Sequence, residues 1–176
     1  LPVDTGMDYN SYHIYYSNNA AGPFVEIDSS FYYNLSSYTH TAANAYAGPL
    51  YYTIKTRTGC GVQYSPGSDT LQAMVMNVTN PLGGNIANLN WNAIRNPLLP
   101  SSSGNYKVYR EYPAGNWVWI GTTTSLSYID TNHVCIDSIN YRVEMDDASG
   151  CNSISTIDGA TFKDNSVPDA PELRCI

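Results

Sequence analysis

Tyr106-Lys107-Val108-Tyr109, in the second half of the chain, repeats Tyr12-His13-Ile14-Tyr15 in the first. Four further stretches repeat in the same order. Gly22-Pro23-Phe24-Val25-Glu26-Ile27 returns as Gly115-Asn116-Trp117-Val118-Trp119-Ile120. Ser37-Tyr38-Thr39-His40-Thr41 returns as Ser127-Tyr128-Ile129-Asp130-Thr131. Tyr52-Thr53-Ile54 returns as Tyr141-Arg142-Val143, and Gly59-Cys60 as Gly150-Cys151. No single match is strong, but ordered matches at a nearly constant offset of about 90 residues are the signature of a tandem repeat. Repeats form arrays, and arrays serve more often as spacers or binding surfaces than as catalysts.

The repeats are built from runs of four to eight residues rich in Val, Ile and Tyr, set between turn signals. In the second copy the pattern predicts strands at Ala73–Val78, Asn85–Trp91, Tyr106–Tyr112, Trp117–Thr122, Ser127–Asp130, Ile139–Met145 and Ser153–Asp158. Between them lie breakers such as Asn80-Pro81-Leu82-Gly83-Gly84 and Pro113-Ala114-Gly115. Tyr141 and Val143 alternate with Arg142 and Glu144, the period-2 pattern of a half-buried strand. Ile86, Leu89 and Trp91 are expected to face the core. Short strands with tight turns at this spacing predict an all-β protein of tandem Greek-key sandwiches.

Module boundaries follow from the repeat: residues 1–68 as a partial module, 69–167 as a complete one, and 168–176 as a linker and the opening strand of a third. The first copy has no counterpart to the strands around Met74 and Trp91, so its first two strands are expected upstream of residue 1. Prolines in Val167-Pro168-Asp169-Ala170-Pro171 would limit flexibility between modules.

Composition excludes several functions. Of 176 residues 13% are charged, eight are basic, and the net charge is -7. Thinly spread Lys and Arg do not make a nucleic-acid interface. No apolar run is long enough for a membrane-spanning helix. No secretory leader is visible at the start.

Cys60, Cys135, Cys151 and Cys175 show no zinc spacing. Cys135 and Cys151 flank the predicted Ile139–Met145 strand and are expected to be disulfide-bonded. Such a loop would add about 3 kcal/mol and imply an oxidising compartment. Cys60 is expected to be unpaired.

Trp119 is the candidate contact residue. Its repeat counterpart is Glu26, so the position should face solvent in both copies, and an exposed Trp can stack on a sugar or anchor a partner. Trp117 matches Phe24 and is expected in the core. Most of the 16 tyrosines are expected to be structural. Asp146-Asp147 is expected in a polar turn, and no loop has the ligand pattern of a calcium site; Asp164 and Asp169 could bind calcium only between modules. His13, His40 and His133 lie in no nucleophile motif, and no catalytic residue, cofactor or metal is expected.

The Trp91 strand, the Tyr106–Arg110 strand and the Tyr141–Val143 strand resemble the B, C and F strands of fibronectin type III-like modules. More narrowly, Gly104-Asn105-Tyr106-Lys107-Val108-Tyr109-Arg110, Ile139-Asn140-Tyr141-Arg142-Val143-Glu144 with Gly150-Cys151, and Pro168-Asp169-Ala170-Pro171-Glu172-Leu173 look like the repetitive surface proteins of Bacteroidetes that carry a gliding-motility-type sorting domain. That resemblance implies export by type IX secretion and a place outside the cell. It implies a structural spacer or adhesin array, with neighbouring modules and a surface glycan or protein as partners. A carbohydrate- or protein-binding module is the competing reading. Asp69-Thr70-Leu71 and Asp137-Ser138-Ile139 fit a short O-glycosylation pattern of that group, on Thr70 and Ser138.

Overall fold

The computed structural model describes residues 8–60 and 63–165. In chain order the strands are β1 (Tyr9–Ser17), β2 (Val25–Ser30), β3 (Tyr51–Thr58), β4 (Leu71–Gln72), β5 (Met76–Thr79), β6 (Ile86–Trp91), β7 (Ser102–Glu111), β8 (Trp117–Thr123), β9 (Ser127–Thr131), β10 (Asp137–Asp147), β11 (Asn152–Ile154) and β12 (Asp158–Phe162). Among the described residues the one helical element is a 3-10 turn at Ala45–Ala47, and no helix is long and apolar enough to cross a membrane.

The fold is all-β, and the strands pair antiparallel in three sheets. Four strands follow the order β2-β1-β3-β4. A five-stranded sheet follows β11-β10-β7-β8, with β12 also on β10, and a three-stranded sheet follows β5-β6-β9. The last two sheets pack face to face. Met76, Val78, Leu89 and Trp91 from one meet Val108, Tyr141, Val143 and Phe162 from the other in one buried cluster. Each such side chain contributes about 1.5–3 kcal/mol by leaving water. The chain changes sheet after β6, after β8 and after β9, which is the crossing pattern of a sandwich.

The sequence repeat is a structural repeat. The order β2-β1-β3 matches β8-β7-β10, and β4, paired with Tyr51 and Tyr52, holds the place of β12, which pairs with the equivalent Asn140 and Tyr141. Both copies shift register at the same place, between Ile14 and Tyr15 in one and between Val108 and Tyr109 in the other. What differs is the cover. The β7–β10 face lies under the three-stranded sheet. The equivalent β1–β3 face has no second sheet against it among the described residues; the irregular stretch between β2 and β3 lies there instead.

Several expectations need correction. Ile86 points outward, because period-2 alternation from buried Leu89 puts Ala87 and Trp91 inside and Ile86 outside. The expected strand Ser153–Asp158 is two strands. β11 and β12 both pair with β10, and the break between them turns toward β5, where Thr156 Oγ1 accepts from Met76 N at 2.9 Å. The strand expected from Ala73 begins at Met76, while Leu71–Gln72 pairs with β3 of the first sheet. The disulfide is not formed: Cys135 and Cys151 are both free, exposed thiols, as is Cys60. β10 lies extended between Cys135 and Cys151, and 11 residues at about 3.3 Å each hold them several times farther apart than a disulfide allows. Cys175, Asp169, the Val167–Pro171 linker and the start of the third module lie outside the described residues.

Candidate functional site

β8 begins Trp117-Val118-Trp119-Ile120. Residues two apart on an extended strand share a face, so Trp117 and Trp119 cannot divide between core and solvent. Ile120 packs against the core cluster, and the two tryptophans take the opposite, outer face. This corrects the expectation for Trp117, which belongs to no core cluster; Phe24 is likewise outside the core. The solvent-facing expectation for Trp119 agrees with the structure, where it is 61% exposed.

Register sets the neighbours of Trp119. It lies opposite Tyr109, and Tyr109 lies opposite Arg142, so one row crosses β8, β7 and β10. The Arg142 guanidinium sits 4.4 Å from the Trp117 ring centroid and 5.4 Å from that of Tyr109. Arg142 also pairs with Glu144 Oε1 at 2.8 Å. The arginine is therefore fixed between two aromatic faces and a carboxylate. Trp119 is fixed differently: its Nε1 donates to Gly121 O at 2.8 Å. With its only donor satisfied, the indole offers its π-face, in one orientation, to whatever approaches.

Acidic groups frame the row. Glu111 accepts from Asn140 Nδ2 at 2.7 Å and from Gly115 N at 2.7 Å, and these bonds, Asn140 first, hold its carboxyl below the usual range. Lys107 pairs with Asp146 at 2.5 Å, which raises the lysine above its ordinary value. The face thus combines aromatic rings, carboxylate acceptors and few unpaired charges. Tyr109 and Arg142 were not singled out from the sequence. The signal was their alternation with buried neighbours, but only register shows that they meet Trp119 and Trp117.

The first copy uses the same positions otherwise. Glu26 stands where Trp119 does, opposite Tyr15, and accepts from His13 Nδ1 at 2.8 Å. His13 Nε2 lies 2.9 Å from Ser11 Oγ. These distances match a nucleophile–base–carboxylate relay. Ser11, however, is 0% exposed, so no substrate reaches its oxygen. The string ties β1 to β2, and the His13 hydrogen bond holds Glu26 below its ordinary value.

The other candidate residues are scattered. Thr70 is half-buried before β4, and Ser138 is exposed on β10, with its hydroxyl 3.3 Å from that of Thr161. Asp146 and Asp147 were expected in a polar turn but end strand β10, because Asp146 still pairs with Asn152; Asp147 leads into the turn and accepts from Ser101 Oγ at 2.7 Å and Ser149 N at 2.9 Å. Asp164 accepts from His133 Nδ1 at 2.9 Å.

No family profile matches the chain. No curated protein matches it. Among solved structures, the selenomethionine-substituted chicken interferon gamma receptor alpha chain aligns over 93% of this chain and 88% of its own, at 8% identity and a TM-score of 0.34. The assignment of an all-β sandwich rests on the sheets and their packing.

Proposed function

We propose that the chain is a non-catalytic, extracellular adhesin array of tandem sandwiches, and that the outer face of β8, β7 and β10 binds a polysaccharide. The observation that carries this reading is the Trp119–Tyr109–Arg142 row, with Trp119 exposed and held by its bond to Gly121 O. A pyranose ring has an apolar C–H face suited to an indole, and hydroxyls suited to the carboxylates of Glu111 and Glu144. A ring already held in its bound orientation loses little entropy on binding. The net charge of -7 and the acidic frame disfavour polyanionic sugars, which points to neutral glycans. The array context, secretion by the type IX route and the cell-surface setting follow from the family resemblance and belong to the same proposal.

Affinity electrophoresis of the intact chain through gels containing neutral polysaccharides tests the reading. Retention by at least one of them, lost in Trp119→Ala and kept in Tyr32→Ala, is expected. Tyr32 is the control because it is exposed on a different part of the chain. Equal migration of wild type and Trp119→Ala in every gel would leave the array as a spacer without a glycan site.

A further inference from the structure

In the second sandwich, β9 is a strand because β6 lies beside it; Leu89 opposes Tyr128 and Asn88 opposes Ile129. Ser37–Thr41 repeats the β9 sequence and occupies the equivalent place. The hydroxyl of Tyr52 contacts His40 Nδ1 at 3.0 Å, as its counterpart Tyr141 contacts Asp130 at 2.8 Å. Yet, among the described residues, Ser37–Thr41 forms no strand and pairs with none. It has the sequence and position of a sandwich strand without the neighbour that makes one.

Beside it is an open groove of about 540 Å³. Its walls include Leu35 and Tyr38 on one side and Pro66 on the other, and Tyr12, Ile14 and Ile54 form its floor. Ile54 is 44% exposed, whereas its counterpart Val143 is 0% exposed under the facing sheet. None of the lining residues carries a charge. β6, Ile-Ala-Asn-Leu-Asn-Trp, is likewise uncharged and puts an apolar side chain inward at every second position. The groove and a strand of that type match in lacking charge and in presenting apolar surface to each other.

We infer that the groove is a strand-complementation site. Its occupant is an extended segment of this repeat type, equivalent to β6, pairing antiparallel with Ser37–Thr41. Main-chain bonds to Ser37–Thr41 would supply affinity, and alternate apolar side chains entering the groove would supply selectivity. Occupation would convert 37–41 into a strand and cover Ile54 as Val143 is covered.

The test adds a synthetic peptide of residues 84–92 to the intact chain. Amide hydrogen exchange and titration calorimetry are the readouts. Saturable binding is expected, with exchange at 37–41 slowed by about tenfold or more. Ile54→Lys should weaken binding by about tenfold or more, because it places a charge on the groove floor. Val25→Lys, exposed outside the groove, should not, and neither should Trp119→Ala, which separates this site from the aromatic face. A peptide with Asp in place of Leu89 and Trp91 should not bind. Exchange at 37–41 unchanged at millimolar peptide, or binding indifferent to Ile54→Lys, would overturn the inference. So would self-association of the chain that Ile54→Lys abolishes, since the occupant would then be a second copy.

Discussion

The hydroxyl of Tyr141 donates to Asp130 Oδ2 at 2.8 Å, and the same oxygen accepts from Arg110 Nη1 at 3.1 Å. Burial, and then the Asp130 charge, pushes the Tyr141 hydroxyl far above its ordinary value, so it stays a donor. Tyr141 is on β10 and Asp130 on β9, so this bond ties the two sheets together. Tyr141→Phe should lower stability by about 1–2 kcal/mol, because a charged acceptor loses a buried donor while Arg110 remains. Urea denaturation is the check; an unchanged midpoint would show that the bond contributes nothing net.

Trp119 illustrates the opposite case. It is exposed and outside the core, so Trp119→Ala should change stability by no more than about 0.5 kcal/mol. Glycan retention should nonetheless fall by about tenfold or more. A variant that unfolds more easily and binds less would point to a structural role for the ring.

Arg142 bridges Trp117 and Tyr109, and each partly exposed contact of this kind is worth about 0.5–1 kcal/mol. Arg142→Ala should therefore cost about 1–2 kcal/mol in thermal or urea unfolding. Arg142→Lys should restore only part of this, since an ammonium lacks the planar surface that stacks on both rings.

The two cysteines give a test of the strand geometry. Without reductant, Cys135 and Cys151 should both react with iodoacetamide in the native protein, each adding one adduct by mass spectrometry. Cys135→Ser and Cys151→Ser should each shift stability by less than about 0.5 kcal/mol. A native protein refractory to alkylation until reduced would contradict the separation that β10 imposes.

Acid should destabilise the fold through named carboxylates. The folded-state values of Glu26, Glu111 and Asp147 are all lowered, by hydrogen bonds from His13, from Asn140 and from Ser149 respectively. A lowered carboxylate stabilises the fold above its unfolded value, about 4.3 for Glu and 3.9 for Asp, and that stability disappears as pH falls through the folded value. The urea midpoint should hold steady down to about pH 5 and drop below about pH 4. Glu26→Gln should flatten part of this drop, though only slightly, because the Glu26 side chain is well exposed and screened. A midpoint that rises on acidification would reverse the sign.

Strand positions in the second copy were readable from the sequence to within a few residues, since alternation is a local pattern that each strand carries alone. Errors fell where a partner decides the outcome. Trp117 was expected inside because Phe24 matches it, although sharing a strand with Trp119 forces both outward. The break at Ser155–Ile157 follows from β5 drawing Thr156 away from β10. The cysteine spacing suited loop closure in a flexible chain; an 11-residue extended strand removed that option.

The chain's own residues, read alone, establish an all-β tandem repeat, because period-2 alternation, turn residues and ordered self-similarity are written along one dimension. They also mark Trp119 as the position where the copies diverge. Only tertiary structure decides which apolar faces are covered and which side chains meet. Register across β8, β7 and β10 assembles Trp119, Tyr109 and Arg142 from three strands, and Ser37–Thr41, with no pairing strand among the described residues, is irregular where the same sequence pattern in β9 is a strand. A strand is half specified by its residues and half by its neighbour, since its backbone bonds are made to another segment.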